Sequence, residues 1–380
     1  QITKEFISEH CSKNLSLYKI PKIFDIHDKL TITSTGKKIK KTYLRMNSLL
    51  SRMLPRALVL IYHRVVNLEA DPQRLSVTPE NFDEHMDTLA RSFNPISLRT
   101  LVEDLGKGYI RDRAVVVTFD DGYEDNYHNA RPILEKYGIP ATIFVSTGYS
   151  GNRREFWWDE LERLILRKRR LPNKMSIELN GKVYRWIVSN GENANQVKVA
   201  PKLKQSIAGE LELLPHEIYM DLCSRFQGLE AEQINDAIMQ LRELTDDSGE
   251  ARPDYLPMTT EQLRALSGGG LIEIGAHTRS HVNLAAQTAE KQREEIEGSK
   301  QDLERILGSS VESFSYPFGT LDHYSSESIK CVKNAGFNTA LANFTGNVTR
   351  LSNLYEIPRR MVRNWDKQGY EGALNQYYSG

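Results

Sequence analysis

The chain has 380 residues, 39% hydrophobic and 26% charged, with a formal net charge of zero. That length can bury a large core and predicts two or three domains. No apolar run approaches the ~18 residues that a membrane-crossing helix needs, and no signal-like n-region and h-region open the chain, so a cytoplasmic rather than secreted setting is expected. The first residue is Gln1, which suits a segment of something longer or a processed product. Cys11, Cys223 and Cys331 are odd in number and far apart, so reduced core thiols are expected rather than a disulfide framework or thiolate metal site.

The neutral total hides an asymmetry. Residues 1–56 carry twelve Lys/Arg against four Asp/Glu, and the remainder is correspondingly acidic. A basic arm can serve nucleic acid or acidic lipid. Here Tyr18, Pro21, Gly36 and regular apolar positions read as a folded segment, and no nucleic-acid partner is expected.

From residue 56 strand-like and helix-like runs alternate. RALVLIYH ends at His63, AVVVTFDD at Asp121, PATIFVST at Thr147, LIEIGAHT near Thr278, ESFSYPFG at Gly319 and FNTALANF at Phe344. Helices are predicted over 124–137, closed by Gly138, and over 288–307, closed by Gly308. Continuous apolar strands separated by helices predict a parallel α/β sheet, open or closed into a barrel. Residues 151–254 break this rhythm: FWWDELERLILRKRR reads as an amphipathic helix, MSIELNGKVYRW as a strand pair, and two or three helices follow. This predicts an inserted, mostly helical subdomain between barrel segments 51–150 and 255–380.

The polar residues of interest fall at C-terminal strand ends, the face on which α/β folds build active sites. His277 and His281, in GAHTRSH, have a spacing at which two imidazoles can converge on one metal. A carboxylate from Asp120 or Asp121 would complete a His, His, Asp set with an open water position, as in catalytic zinc-type sites. A cation there would let two adjacent aspartates stay ionised, one as ligand and the other as a base beside the water. Taken alone, without the histidines, Asp120–Asp121–Gly122 reads rather as a turn capping the next helix. Trp157 and Trp158 open the insertion near this face, where they could stack on a sugar or anchor the inserted helix.

TFDDGYEDNY, then HTRSH, then SYPFG resemble the polysaccharide deacetylase family, carbohydrate esterase family four, over roughly residues 56–150 and 255–365. The resemblance implies a distorted (β/α) barrel that removes an acetyl group, most often from an N-acetylated amino sugar, with a divalent metal, usually zinc. It implies Asp121, His277 and His281 as ligands and Asp120 as general base. Many members carry an arginine where this chain has Ser315. A branch with the YPxG variant instead has a tyrosine–histidine near its first strand, here IYHRV, and a late proline–arginine, here IPRRM. By similarity to that branch His63 is the general acid, Arg359 (or its neighbour Arg360) the partner of Asp120, and the Phe318 backbone N–H the oxyanion donor. An ester or cyclic amide as substrate, or a catalytically dead carbohydrate-binding module, are the alternatives.

LSLYKIPK and FDIHDKLTITSTGKKIKKTYL, within residues 6–44, resemble the end of the C-terminal lid of adenylate-forming acyl ligases. That resemblance implies a small α+β segment over residues 1–50, a contact to acyl-adenylate from Lys37, and the missing ligase core as a partner.

Overall fold

The computed structural model describes residues 55–190 and 211–379. The lid-like segment with Lys37, and Cys11, lie outside the described residues. In chain order the strands are β1 Leu58–Tyr62, β2 Arg64–Val65, β3 Ser76–Val77, β4 Asn94–Pro95, β5 Ala114–Phe119, β6 Ala141–Val145 and β7 Lys174–Leu179. Then come β8 Lys182–Val188, β9 Leu211–Leu213, β10 Ile272–Ala276, β11 Ser313–Ser315, β12 Thr339–Leu341 and β13 Arg360–Met361.

The main sheet is parallel, in the order β12-β11-β10-β6-β5-β1-β13, with β4 beside β5. β13 pairs with β1, while Ile357 just before it bridges Leu341 of β12. One short segment therefore joins both edges of the sheet and curls it into the distorted barrel expected. β1, β5 and β6 are buried along their whole length, as strands covered on both faces are. Leu58, Leu60 and Tyr62 pack with Phe82 and Met86 of the helix Pro79–Ser92, whereas Val59 joins Val116, Phe144 and Leu341 in a separate cluster.

The helix expected over 124–137 is α-helical only from Arg131 to Tyr137 and ends at the left-handed Gly138. Residues Asn126–Ala130 form a wider π turn. There the Asn126 amide donates to the His63 carbonyl at 2.9 Å, and Asp125 accepts from the Val65 N–H at 2.8 Å. Such turns concentrate at functional sites.

Between β6 and β10 lie the β7–β8 hairpin with β9, and the helices Trp157–Ile165, Pro215–Phe226 and Ala231–Thr245. Asn180 and Gly181 both take left-handed φ, 51° and 73°, the Asn-Gly turn that matches strand twist. Phe156, Trp157, Leu161, Trp186 and Leu222 share a core separate from that of the barrel. The amphipathic pattern of FWWDELERLILRKRR would leave a wet polar face. Instead the helix stops at Ile165 and is buried all round. Its acidic side is packed under Arg252, whose guanidinium lies 2.6 Å from Glu162 of the helix and 2.8 Å from Glu155 just before it. Buried charges persist where they are paired.

Candidate active site

His63, Asp120, Asp121, His277 and Ser315 all stand at C-terminal ends of parallel strands β1, β5, β10 and β11. The chain turns sharply after β5, with φ of 75° at Asp121 and 84° at Gly122. A Cβ at Gly122 would sit 3.1 Å from Val145 Cγ2, so only glycine fits there. Asp121 adopts a conformation that side chains avoid, at a cost of about 1–3 kcal/mol that the surrounding packing must offset.

The turn aims Asp121 at the histidines. Its Oδ1 is buried without a hydrogen-bond partner, 3.4 Å from His281 Nε2 and 3.6 Å from His277 Nε2. His277 Nδ1 lies 2.7 Å from the Ser315 carbonyl. A carbonyl only accepts, so Nδ1 carries the proton and the Nε2 lone pair faces the carboxylate. Burial, opposed by Asp120 and reinforced by His281, pushes the His277 pKa down to about 4, so the ring is neutral at pH 7. Two acceptors facing each other in a dry site repel unless a cation lies between them. The donor set Asp121, His277 and His281, with ligating atoms within 4.8 Å of one another, therefore fits a divalent ion.

The loop carrying the histidines is clamped from below. Glu295, buried on the helix Ala289–Leu307, accepts the N–H groups of Arg279 and Ser280, both at 2.8 Å. Thr278 and His281 sit at φ of 62° and 53°, and the His281 N–H donates to Thr278 Oγ1 at 2.9 Å.

Asp120 is held by Arg359, with its Oδ2 still 3.8 Å from His277 Nε2. The guanidinium donates to both carboxylate oxygens at 2.7 Å, and its Nε donates to the Ala342 carbonyl at 2.9 Å. Ser315 Oγ accepts from Arg359 at 2.9 Å and donates to Asp120 at 3.2 Å. The arginine that reaches this serine directly precedes β13. Arg360 points elsewhere, to Asn347 Oδ1 at 3.0 Å. Burial alone would raise the Asp120 pKa, but Arg359, then His277, hold the carboxyl well below the usual range. For Asp121 burial also acts upward and His281 outweighs it. His63 lines the same cleft, close enough for its cationic form to draw both aspartates down. Phe318 has a left-handed backbone, φ 58°, and its ring meets His281 edge-on at 4.7 Å.

Residues 107–168 and 231–340 match the profile of the polysaccharide deacetylase family. The chain carries a polysaccharide deacetylase domain. Over 108 residues, 25% of this chain, it is 33% identical to a poly-beta-1,6-N-acetyl-D-glucosamine N-deacetylase of Staphylococcus aureus, and the match spans 37% of that protein. The fold is similar to that of the Streptococcus pyogenes deacetylase PplD, solved in complex with acetate, at TM-score 0.52 and 15% identity over 86% of this chain and 100% of that one. It is likewise similar to IcaB from Ammonifex degensii, at TM-score 0.53 and 16% identity over 86% and 98%.

The family match omits 169–230, yet this stretch of the chain reaches the site. Cys223 and Gln227, together with Trp157 and Trp158, wall a cleft of about 480 Å³ whose floor is the histidine–aspartate cluster. Trp158 is tied down: its indole N–H donates to Tyr123 OH at 2.8 Å, Tyr123 donates to Asp159 at 2.7 Å, and the Trp158 ring lies 4.6 Å from that of His281. Sequence reasoning placed Trp157 and Trp158 near this face but missed Glu295, Tyr123, Cys223 and Gln227. Tyr123, two residues past Asp121, lies within the TFDDGYEDNY motif; the others have no local signature.

Proposed function

We propose that the protein is a metal-dependent deacetylase that releases acetate from an N-acetylated amino sugar, within an oligomer or polymer. The observation that carries this reading is the pairing of an acceptor-only cluster, Asp121, His277 and His281, with an Arg359-clamped Asp120 on one cleft floor. Zinc is the ion best suited to a set of two imidazoles and one carboxylate. When bound, it would polarise the acetyl carbonyl and lower the pKa of water towards ~7.

Asp120 takes the proton of the attacking water as the new C–O bond forms. Arg359 lowers the basicity of Asp120 but fixes its direction, a trade that suits a water already made acidic. The Phe318 N–H is offered to the oxyanion of the tetrahedral adduct. His63, as imidazolium, gives its proton to the amine as the C–N bond breaks, leaving acetate and free amine. The test is acetate release from N-acetylglucosamine oligomers, by metal-stripped protein before and after zinc is restored. Zinc-dependent release is expected; no release from any oligomer, with stoichiometric zinc bound, would overturn the reading.

A further inference from the structure

His277 directly follows β10, but His281 is brought beside it and Asp121 by a short loop, Thr278, Arg279 and Ser280. The loop is not relaxed. Thr278 and His281 both take left-handed φ, which a β-branched residue in particular avoids. Such a conformation persists only where its surroundings over-determine it.

Two walls do this. Residues after β6 hold the carbonyls: Ser146 Oγ donates to His277 O at 3.0 Å, the Thr147 N–H to Thr278 O at 3.2 Å and the Gly148 N–H to Arg279 O at 2.8 Å. The opposite wall is the helix Ala289–Leu307. There the N–H groups of Arg279 and Ser280 converge on a single atom, Glu295 Oε2, at 2.8 Å each. Gly298 and Asp302 lie on the same helix face as Glu295, at i+3 and i+7. A Cβ at Gly298 would fall 2.4 Å from the Arg279 guanidinium, so glycine lets that side chain lie against the helix. The guanidinium then donates to both carboxylate oxygens of Asp302, at 2.7 and 3.1 Å.

Glu295 is only 3% exposed. Burying a carboxylate is costly unless hydrogen bonds compensate, and bonds from N–H groups to a charged acceptor are among the stronger ones. What Glu295 holds is loop backbone, so its effect on the ligands passes through the loop's shape.

We propose that Glu295 is a positioning residue for the metal, holding the loop between His277 and His281 in its ligating shape before an ion arrives. The ordering cost then falls on folding and not on metal binding. The proposal rests on the metal site of the reading above and on no particular substrate.

Hydrogen exchange on the metal-stripped full chain tests this without a variant. The Arg279 and Ser280 amides should already be protected; amides that exchange freely until zinc is added overturn the proposal. Zinc affinity is then measured by chelator competition. Glu295→Ala should bind zinc about 10–100-fold more weakly. Glu295→Gln keeps an acceptor oxygen and should bind it nearly as the wild type does. A role in stability alone would lower Tm and leave zinc affinity unmoved, so unchanged affinity in folded Glu295→Ala overturns the proposal. If that variant does not fold, the exchange result decides. At saturating zinc, kcat should match the wild type; a loss there would place Glu295 in the chemistry and overturn its role as a metal-positioning residue. A zinc-loaded wild type that releases no acetate sinks the deacetylase reading alone, because the competition involves no substrate. Normal acetate release with unmoved zinc affinity in Glu295→Ala sinks the role of Glu295 alone.

Discussion

The floor of the cleft and its outer wall are built differently. On the floor, His63, Asp120, Asp121, His277 and Ser315 are placed by strand register in a closed parallel sheet. The wall, Trp157, Trp158, Cys223 and Gln227, comes from an insertion with its own core, fastened through tyrosines and buried ion pairs. Groups that must meet within tenths of an ångström ride on the stiffest element, whereas groups that decide what enters ride on a separately packed one. Changes on the floor should therefore appear in turnover, and changes in the wall in stability and substrate affinity.

The largest effect should come from Asp120→Asn. The amide keeps the shape but cannot take the proton, so kcat should fall about 10²–10⁴-fold. Bound zinc, read by elemental analysis, should stay stoichiometric, because Asp121, His277 and His281 remain as the donor set while Asp120 is clamped by Arg359. Full turnover in the variant would remove Asp120 from the role of base.

Behind the floor, His85 sits between Tyr62 of β1 and Tyr370, stacked on the latter at 3.8 Å. Burial pushes its pKa down to about 4, against the Trp365 carbonyl 2.8 Å from Nε2, which acts upward. The unfolded chain binds this proton near pH 6.5 and the folded chain only near 4. Stability therefore falls as the pH drops through that window, by about 3 kcal/mol in all. His85→Phe can keep the stack without titrating, so its urea midpoint should vary less between pH 7 and 4. An unchanged pH slope would locate the acid sensitivity elsewhere.

These two residues also mark what sequence can and cannot convey. The place of Asp120 was legible because it stands in a motif beside Asp121, with a histidine pair at a set spacing on another strand end. The barrel strands were legible because strands buried on both faces are apolar without interruption. His85 looks like any polar residue on a helix. Glu295 holds backbone N–H groups sixteen and fifteen residues away, and no pattern of residue types records that bond. Arg359 meets Asp120 across 239 residues, a contact suggested only by likeness to a family branch. The helix Trp157–Ile165 was legible as amphipathic, but the burial of its polar side against Arg252 was not, because periodicity measures polarity and not exposure.

The wall gives a smaller, differently shaped effect. Tyr123 OH accepts from Trp158 and donates to Asp159, so Tyr123→Phe strands two buried polar groups. A loss of about 1–3 kcal/mol in unfolding free energy is expected. KM should rise as Trp158 loosens, with kcat nearly kept, since the floor does not depend on that hydroxyl. A fall in kcat with unchanged KM would mean that wall and floor are not separable.

The finest division falls within a single residue. The Ser315 carbonyl holds His277 Nδ1, while its hydroxyl joins Arg359 to Asp120. Ser315→Ala keeps the carbonyl and removes only the hydroxyl. Arg359 retains both bonds to Asp120, so about 1 kcal/mol of positioning is lost and kcat should fall about fivefold. Zinc affinity, measured by chelator competition, should not move, because the proton that sets the His277 tautomer is held by backbone. If zinc affinity fell together with kcat, ligand and base would be coupled through this strand end, and the floor would act as one unit rather than as two sites side by side.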